Sequence, residues 1–410
     1  MRRTREGRRS RLAKVFAVTI AIAFVASIGS SRADTTANAA NAANAANTAN
    51  TAGAANANDV ANSAHPANAP AAAIGEVRVY GNTTTLELAP VHVVAEETRV
   101  LSSFGVSVTN GGIPNLFNPG EADVATNAET QALRQSVDHP DLRIIFTVSE
   151  GFYRVLARRS SGITKLADLR GKKIGTVPRT SSAYYLSRML ATEGLTEADV
   201  TIVPMVPLDK IPGAMKRGEI DAATVWEPEI EKAAQLLGAD AIVFQDRSVY
   251  RELFNLNTTA ANLANPAKRA GIVRLVRMLI RASAQIRRDP QQAITLLSKA
   301  THYDEKLIGQ VWHHEGYPGT LVPDLLDVMT AEEPWIAKER NRTPRSRAEL
   351  AKLIDESIVR EALEQERALD RSISVDERVA ELAAKVEGGW AICEIERLRY
   401  SYSLFAEAGR

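Results

Sequence analysis

From Gly162 to Ile230, short β-rich runs, polar loops and amphipathic stretches alternate with clear punctuation. Lys173 to Val177 is a β-rich run and Pro178 to Ser182 a polar turn. The helical stretch that follows ends before Gly194, a residue suited to the left-handed position past a helix end. Val200 to Val203 reads as the next strand, Asp209 to Arg217 as a helix closed by Gly218, and Ala222 to Val225 as a third strand. This βαβαβ order predicts a parallel sheet with right-handed crossovers.

In such sheets ligands collect beyond the carboxyl ends of the strands, which directs attention to the residues after Val177 and around Thr224. The first segment holds Arg179, Thr180, Ser181 and Ser182, hydroxyls and free N–H groups at a helix start beside a guanidinium. That set suits an anionic oxygen cluster such as a sulfonate, carboxylate or phosphate. The second holds Thr224, Trp226 and Glu227. An indole with a carboxylate suits an aromatic or cationic part of a ligand, and a purely structural role equally.

The motifs LADLRGKKIGT, the TSSAYYL helix start and GEIDAATVWEP, in that order and spacing, resemble the periplasmic substrate-binding proteins of ABC importers. The branch in question takes up aliphatic sulfonates, taurine, nitrate and thiamine-pyrimidine precursors. The resemblance runs more weakly from about Val77 to Leu363. It implies an α/β, two-lobe fold of periplasmic binding protein type II, each lobe a mostly parallel sheet flanked by helices, with two hinge crossings. It also implies capture of a small, anionic or pyrimidine-like solute by lobe closure, and delivery to a membrane permease by a monomer without a cofactor. The family usually has a small residue where Arg179 stands, a departure that leaves two roles open for this guanidinium: neutralising the solute or bonding the neighbouring lobe.

A second pattern is internal. GEADVATNAE, from Gly120 to Glu129, matches GEIDAATVWE, from Gly218 to Glu227, at the Gly, Glu, Asp, Ala, Thr and final Glu positions. Two lobes of like architecture would place Thr126 with Asn127 opposite Thr224 with Trp226 across one cleft. Thr83, Thr84 and Thr85 sit where the first lobe's opening helix is expected; capping accounts for one of them, and ligand contact is open to the others.

Outside this core, Arg2 to Lys14 form a basic region, Val15 to Ile28 is apolar and Ser31-Arg32-Ala33 offers a cleavage site, so residues 1–33 read as a secretory signal peptide. Arg8-Arg9 raises a twin-arginine export route, which the residues downstream match poorly. Cleavage leaves 42 basic against 48 acidic residues, an acidic exported protein with no basic stripe for nucleic acid. Residues 34–73 are Ala, Asn and Thr in near-repeats and read as a disordered linker. Residues 74–157 with 257–369 are expected to form lobe one, 158–256 lobe two, and 370–410 a helical extension.

Ile272, Leu275, Val276, Leu279 and Ile280 keep helical spacing until Asp289-Pro290, and Leu350, Leu353, Ile354 and Ile358 do so again. The single cysteine, Cys393, excludes an internal disulfide, and His313, His314 and Glu315 lack the spacing of a zinc-binding helix, so no metal is expected. No phosphate-binding loop or Gly-x-Ser-x-Gly elbow is present. A binding protein is the expectation, with an enzyme on the same fold or a ligand-sensing scaffold as alternatives.

Overall fold

The computed structural model describes residues 75–100 and 104–372. The expected signal peptide and linker, and the extension from residue 373 onward, lie outside them. The strands are β1 (Val77–Gly81), β2 (Val106–Asn110), β3 (Val124–Ala128), β4 (Leu142–Gly151), β5 (Val155–Arg158), β6 (Lys173–Thr176), β7 (Thr201–Pro204), β8 (Ala222–Ala223), β9 (Ala241–Phe244), β10 (Glu252–Thr259) and β11 (Glu315–Gly316). They form two sheets, ordered β11-β4-β10-β3-β1-β2 and β7-β6-β8-β5-β9.

Taken from their parallel edges, the two sheets repeat one plan. In the first, β2, β1 and β3 are parallel, β10 is antiparallel to β3, and β4 is antiparallel to β10. In the second, β7, β6 and β8 are parallel, and β5 and β9 follow with the same alternation. Each sheet is therefore mixed where a mostly parallel one was expected, because the strands that link the lobes add to the parallel core in the opposite sense. The two copies of the GE-x-D-x-A-T pattern enter β3 and β8, the corresponding central strands, each after a glycine at positive φ, 78° at Gly120 and 74° at Gly218. At Gly218 the turn follows directly from the helix Lys210–Arg217, whose Met215 and Ala214 carbonyls accept from the N–H groups of Gly218 and Glu219.

Alternate side chains of each strand serve opposite faces. Val155 and Ala157 of β5 pack with Ile174, Tyr185 and Leu190 against the helix Ser181–Thr192, while Leu156 packs with Ile211, Met215 and Ile230 against the helices Lys210–Arg217 and Glu229–Leu237. The first sheet is covered in the same way. Val91, Ile272, Val276 and Leu279 lie on one face, Leu133, Met329 and Ile336 on the other. The long helix Pro266–Arg288 starts where Asn265 accepts from the N–H groups of Ala267 and Lys268, with Pro266 at its first position, and stops before Asp289.

Two segments cross between the sheets: Phe152 to Arg154, from β4 to β5, and Gln245 to Arg251, from β9 to β10. They are tied to each other, since Gln245 Nε2 donates to the carbonyls of Phe152 at 3.2 Å and Tyr153 at 3.0 Å. The return to the first sheet is complete earlier than expected after residue 256, because Leu253, Phe254 and Leu256 of β10 are buried in the first lobe's core. The helical spacing read through Ile358 is interrupted as well. The helix Arg347–Ala351 ends, Ile354 bridges to Ile144, and Asp355 caps a new helix, Ser357–Ser372, on the first lobe.

One close approach constrains the first lobe's site-facing end. A Cβ on Gly81 would collide with Oγ1 of Thr126, a stiff side chain in full burial. Gly81→Ala is expected to lower unfolding stability by roughly 1 to 3 kcal/mol in urea titration, the usual cost of overpacking.

Candidate functional site

A small cavity, with room at its centre for about one water molecule, lies between the lobes at the crossings. Its walls come from both. Glu87, Gly151, Glu252 and Glu315 belong to the first lobe, Val225, Trp226 and Glu227 follow β8 of the second, and Phe152 with Tyr153 belong to a crossing. The site thus occupies the carboxyl end of β8, as α/β sheets favour.

Strand register builds its floor. Glu252 of β10 and Glu315 of β11 both pair with Gly151, one on each side of β4. Two carboxylates therefore flank a position without a side chain, and a Cβ on Gly151 would stand 2.8 Å from Glu252 Oε2. Glu87 enters from the 3-10 turn Leu86–Leu88, which follows the threonine run.

These carboxyl groups are buried and incompletely satisfied. Glu252 is 1% exposed; its Oε1 accepts from Ser181 Oγ at 2.6 Å and from Trp226 Nε1 at 3.4 Å, and its Oε2 has no partner among the described residues. Ser181 Oγ also shares a hydrogen bond of 2.8 Å with the Tyr153 hydroxyl. Glu87 is 2% exposed, and its Oε2 is likewise unpartnered. Glu315 keeps some exposed surface as a residue, yet its Oε2 is buried without a partner.

Burial and the nearby Glu252 charge push the Glu87 carboxyl up to about 8. Burial raises Glu315 well above its ordinary value, with Glu87, Glu252 and Glu227 adding to the effect, and burial raises Glu252 too. Behind the cavity stand two more acids. Glu129 accepts from the Tyr250 hydroxyl and from Leu253 N and is pushed to about 8 by burial and by Glu252. Glu332 is fully buried with both oxygens unpartnered, and burial followed by the Glu129 charge raises it strongly.

Glu227 is different, being paired. Arg154 Nε donates to it at 2.6 Å and Arg154 Nη2 to Glu231 at 2.7 Å, in a pair whose side chains are 10% and 5% exposed. Its burial still raises it, with Arg154 opposing.

The residues singled out from sequence scatter around this centre. Trp226 and Glu227 line the cavity, and Ser181 bonds the lining Glu252. Thr126 in β3 and Thr224 just after β8 are fully buried, each with a hydroxyl that has no partner among the described residues, while Asn127 Oδ1 accepts from Ala128 N. Thr84 is exposed and bonds Asn82, Thr85 bonds the Asn82 carbonyl and lies beside Glu87, and the Thr83 N–H donates to Asn110 Oδ1 at 3.3 Å. Thr180 Oγ1 donates to the Val177 carbonyl, and Ser182 shares bonds with Thr176 and Thr180. Arg179 stands at positive φ, half-exposed, and reaches the first lobe, where Glu339 lies 3.6 Å away and Gln131 donates to its carbonyl. Sequence reasoning did not select Glu87, Tyr153, Glu252 or Glu315. The one local signal was an acid, Glu252, opening the β-rich run ELFNLNTT of β10, all of which is buried.

Among the described residues, no three His, Cys, Asp or Glu side chains are grouped to hold a metal ion, and no helix is long and apolar enough to cross a membrane.

The NMT1/THI5-like family model matches residues 107–293. A putative aliphatic sulfonates-binding protein of Bacillus subtilis is 24% identical over 213 residues, 52% of this chain and 62% of that protein, so the match spans less than two thirds of its length. The periplasmic aliphatic sulphonate binding protein SsuA of Escherichia coli shares the fold at TM-score 0.57 and 18% identity, over 68% of this chain and 92% of that one. A mutant of the desulfurization enzyme DSZB, with biphenyl-2-sulfinic acid bound, shares it at TM-score 0.51 and 16% identity, over 71% of this chain and 99% of that one. The chain is thus similar in sequence to the NMT1/THI5-like family and to an aliphatic sulfonates-binding protein, and it shares the two-lobe α/β fold of these solved structures.

Proposed function

We propose that this protein is the extracytoplasmic solute-binding component of an ABC importer, exported after cleavage near Ala33, and that it captures a small solute by lobe closure and presents it to a membrane permease. The observation that carries the reading is the cavity itself, walled by both lobes and set at two crossings that permit bending while restricting twist. Contacts between the lobes hold this closed arrangement on both faces. On one, Gln131 bonds the Arg179 carbonyl, Tyr184 OH bonds the Ala331 carbonyl at 3.3 Å, and Trp335 packs on Tyr184 with centroids 5.3 Å apart. On the other, Tyr303 donates to Glu229 at 2.8 Å, with the Lys232 ammonium over its ring.

Solute trapped at a hundred times its dissociation constant stabilises the fold by about 2.7 kcal/mol. A solute screen read by thermal unfolding tests the proposal, and a protein that no small molecule stabilises contradicts it. Removing a latch is expected to weaken capture without touching the cavity. Trp335→Ala, which lies away from the cavity walls, is expected to raise the dissociation constant about tenfold in calorimetric titration by disfavouring closure. The rival reading is catalysis, which the DSZB neighbour shows the fold can host. Turnover of a bound solute seen by mass spectrometry decides for it.

A further inference from the structure

We infer, resting on solute capture at this cavity, that the solute is a small organic cation bearing N–H donors rather than the anion that the hydroxyl-rich turn suggests. Three carboxyl groups converge on the cavity, and each leaves one buried oxygen, Oε2 of Glu87, Glu252 and Glu315, without a partner among the described residues. Glu87 and Glu252 are more than nine-tenths buried, so no surrounding solvent satisfies them. No lining residue is basic, and the neighbouring Arg154 is held by Glu227 and Glu231.

The donors that an anion requires are already engaged. Ser181 Oγ and Trp226 Nε1 both donate to Glu252, and the Tyr153 hydroxyl is bonded to Ser181. An incoming sulfonate or carboxylate is repelled by each of these carboxyls that ionises, whereas a cation favours their ionised form. An ammonium or amidinium meets acceptors on two sides of Gly151, where the absent side chain leaves the approach open, and aromatic walls at Tyr153 and Trp226. In this closed arrangement the cavity has room for about one water molecule, so a solute must be compact and the lobes must part to admit it.

The test is calorimetric titration of the purified protein with benzamidinium, putrescine and imidazolium, and in parallel with methanesulfonate, taurine and nitrate. At least one cation is expected to bind with no response to the anions, and Glu252→Gln and Glu315→Gln each to weaken that binding tenfold or more. Glu315 is the less buried, so its variant keeps the test valid if Glu252→Gln fails to fold.

Affinity for benzamidinium is also expected to rise between pH 6 and pH 8, because the cation requires ionised carboxylates. The groups that face them are Glu227 in its pair with Arg154, Glu129 and Glu332 behind, and the hydroxyls of Tyr153 and Tyr317. Binding of an anion but no cation overturns the inference and leaves solute capture standing. Silence from both panels overturns the inference and counts against capture itself.

Discussion

Raising the pH from about 5 to 9 is expected to destabilise the unliganded protein by several kcal/mol, the reverse of the behaviour of carboxylates held in salt bridges. Glu87 and Glu129 are each pushed from 4.5 to about 8 by burial and by the charge of Glu252. Their raised folded-state values mean that the native chain retains protons which the unfolded chain releases. Stability therefore starts to fall above the unfolded value near 4.5 and has lost its full share above about 8. At about 1.4 kcal/mol per pKa unit, one such carboxyl contributes at most about 5 kcal/mol, and neighbours that share a proton contribute less than the sum. Asp123 and Glu333 act in the opposite sense. Arg78 and Lys268 hold the first below its usual range, and Arg345 with Arg342 the second, so their stabilisation disappears only as the solution becomes more acidic still. The urea midpoint should consequently be highest near pH 5, and Glu332→Gln should flatten its decline. A midpoint that stays constant or rises toward pH 9 contradicts the buried-acid account.

The second large effect concerns Arg154. Arg154→Ala leaves Glu227, whose side chain is 5% exposed, buried without its counter-charge, and is expected to cost about 3 to 5 kcal/mol in urea unfolding. Because Glu227 borders the cavity beside Trp226, solute affinity should fall as well. The double variant Arg154→Met with Glu227→Met is expected to recover most of the stability, since two apolar side chains replace a desolvated pair. If the double variant is as unstable as the single one, the loss comes from packing and not from the orphaned charge.

Much of the architecture was legible because it is local. The run from Lys173 to Val225 shows its strands and helices through periodicity, Gly218 marks a helix end that only a positive φ can close, and Asn265-Pro266 announces the long helix. The repeated GE-x-D-x-A-T pattern carried information across the chain, and the two copies do occupy corresponding strands. The cavity was not legible, because it depends on register. Glu252 and Glu315 are far apart in sequence and meet because β10 and β11 both pair with the last residue of β4, and Glu87 joins them from the turn Leu86–Leu88. The turn from Arg179 to Ser182 shows the same limit. Sequence shows that hydroxyl donors are present, and only the fold shows that Ser181 donates to an acid of the other lobe and that Arg179 reaches Glu339. The acid that opens β10 was the visible clue, and its meaning depended on partners that periodicity does not reveal.

The position of a bound solute tests the account most directly. A crystal structure with the tightest-binding cation of the panel should show its nitrogen within hydrogen-bonding distance of Glu252 and of Glu87 or Glu315, its body against Trp226, and both lobes in contact with it. A solute seated outside the space between the lobes, or one held by the Arg179 to Ser182 turn with the carboxylates untouched, contradicts it.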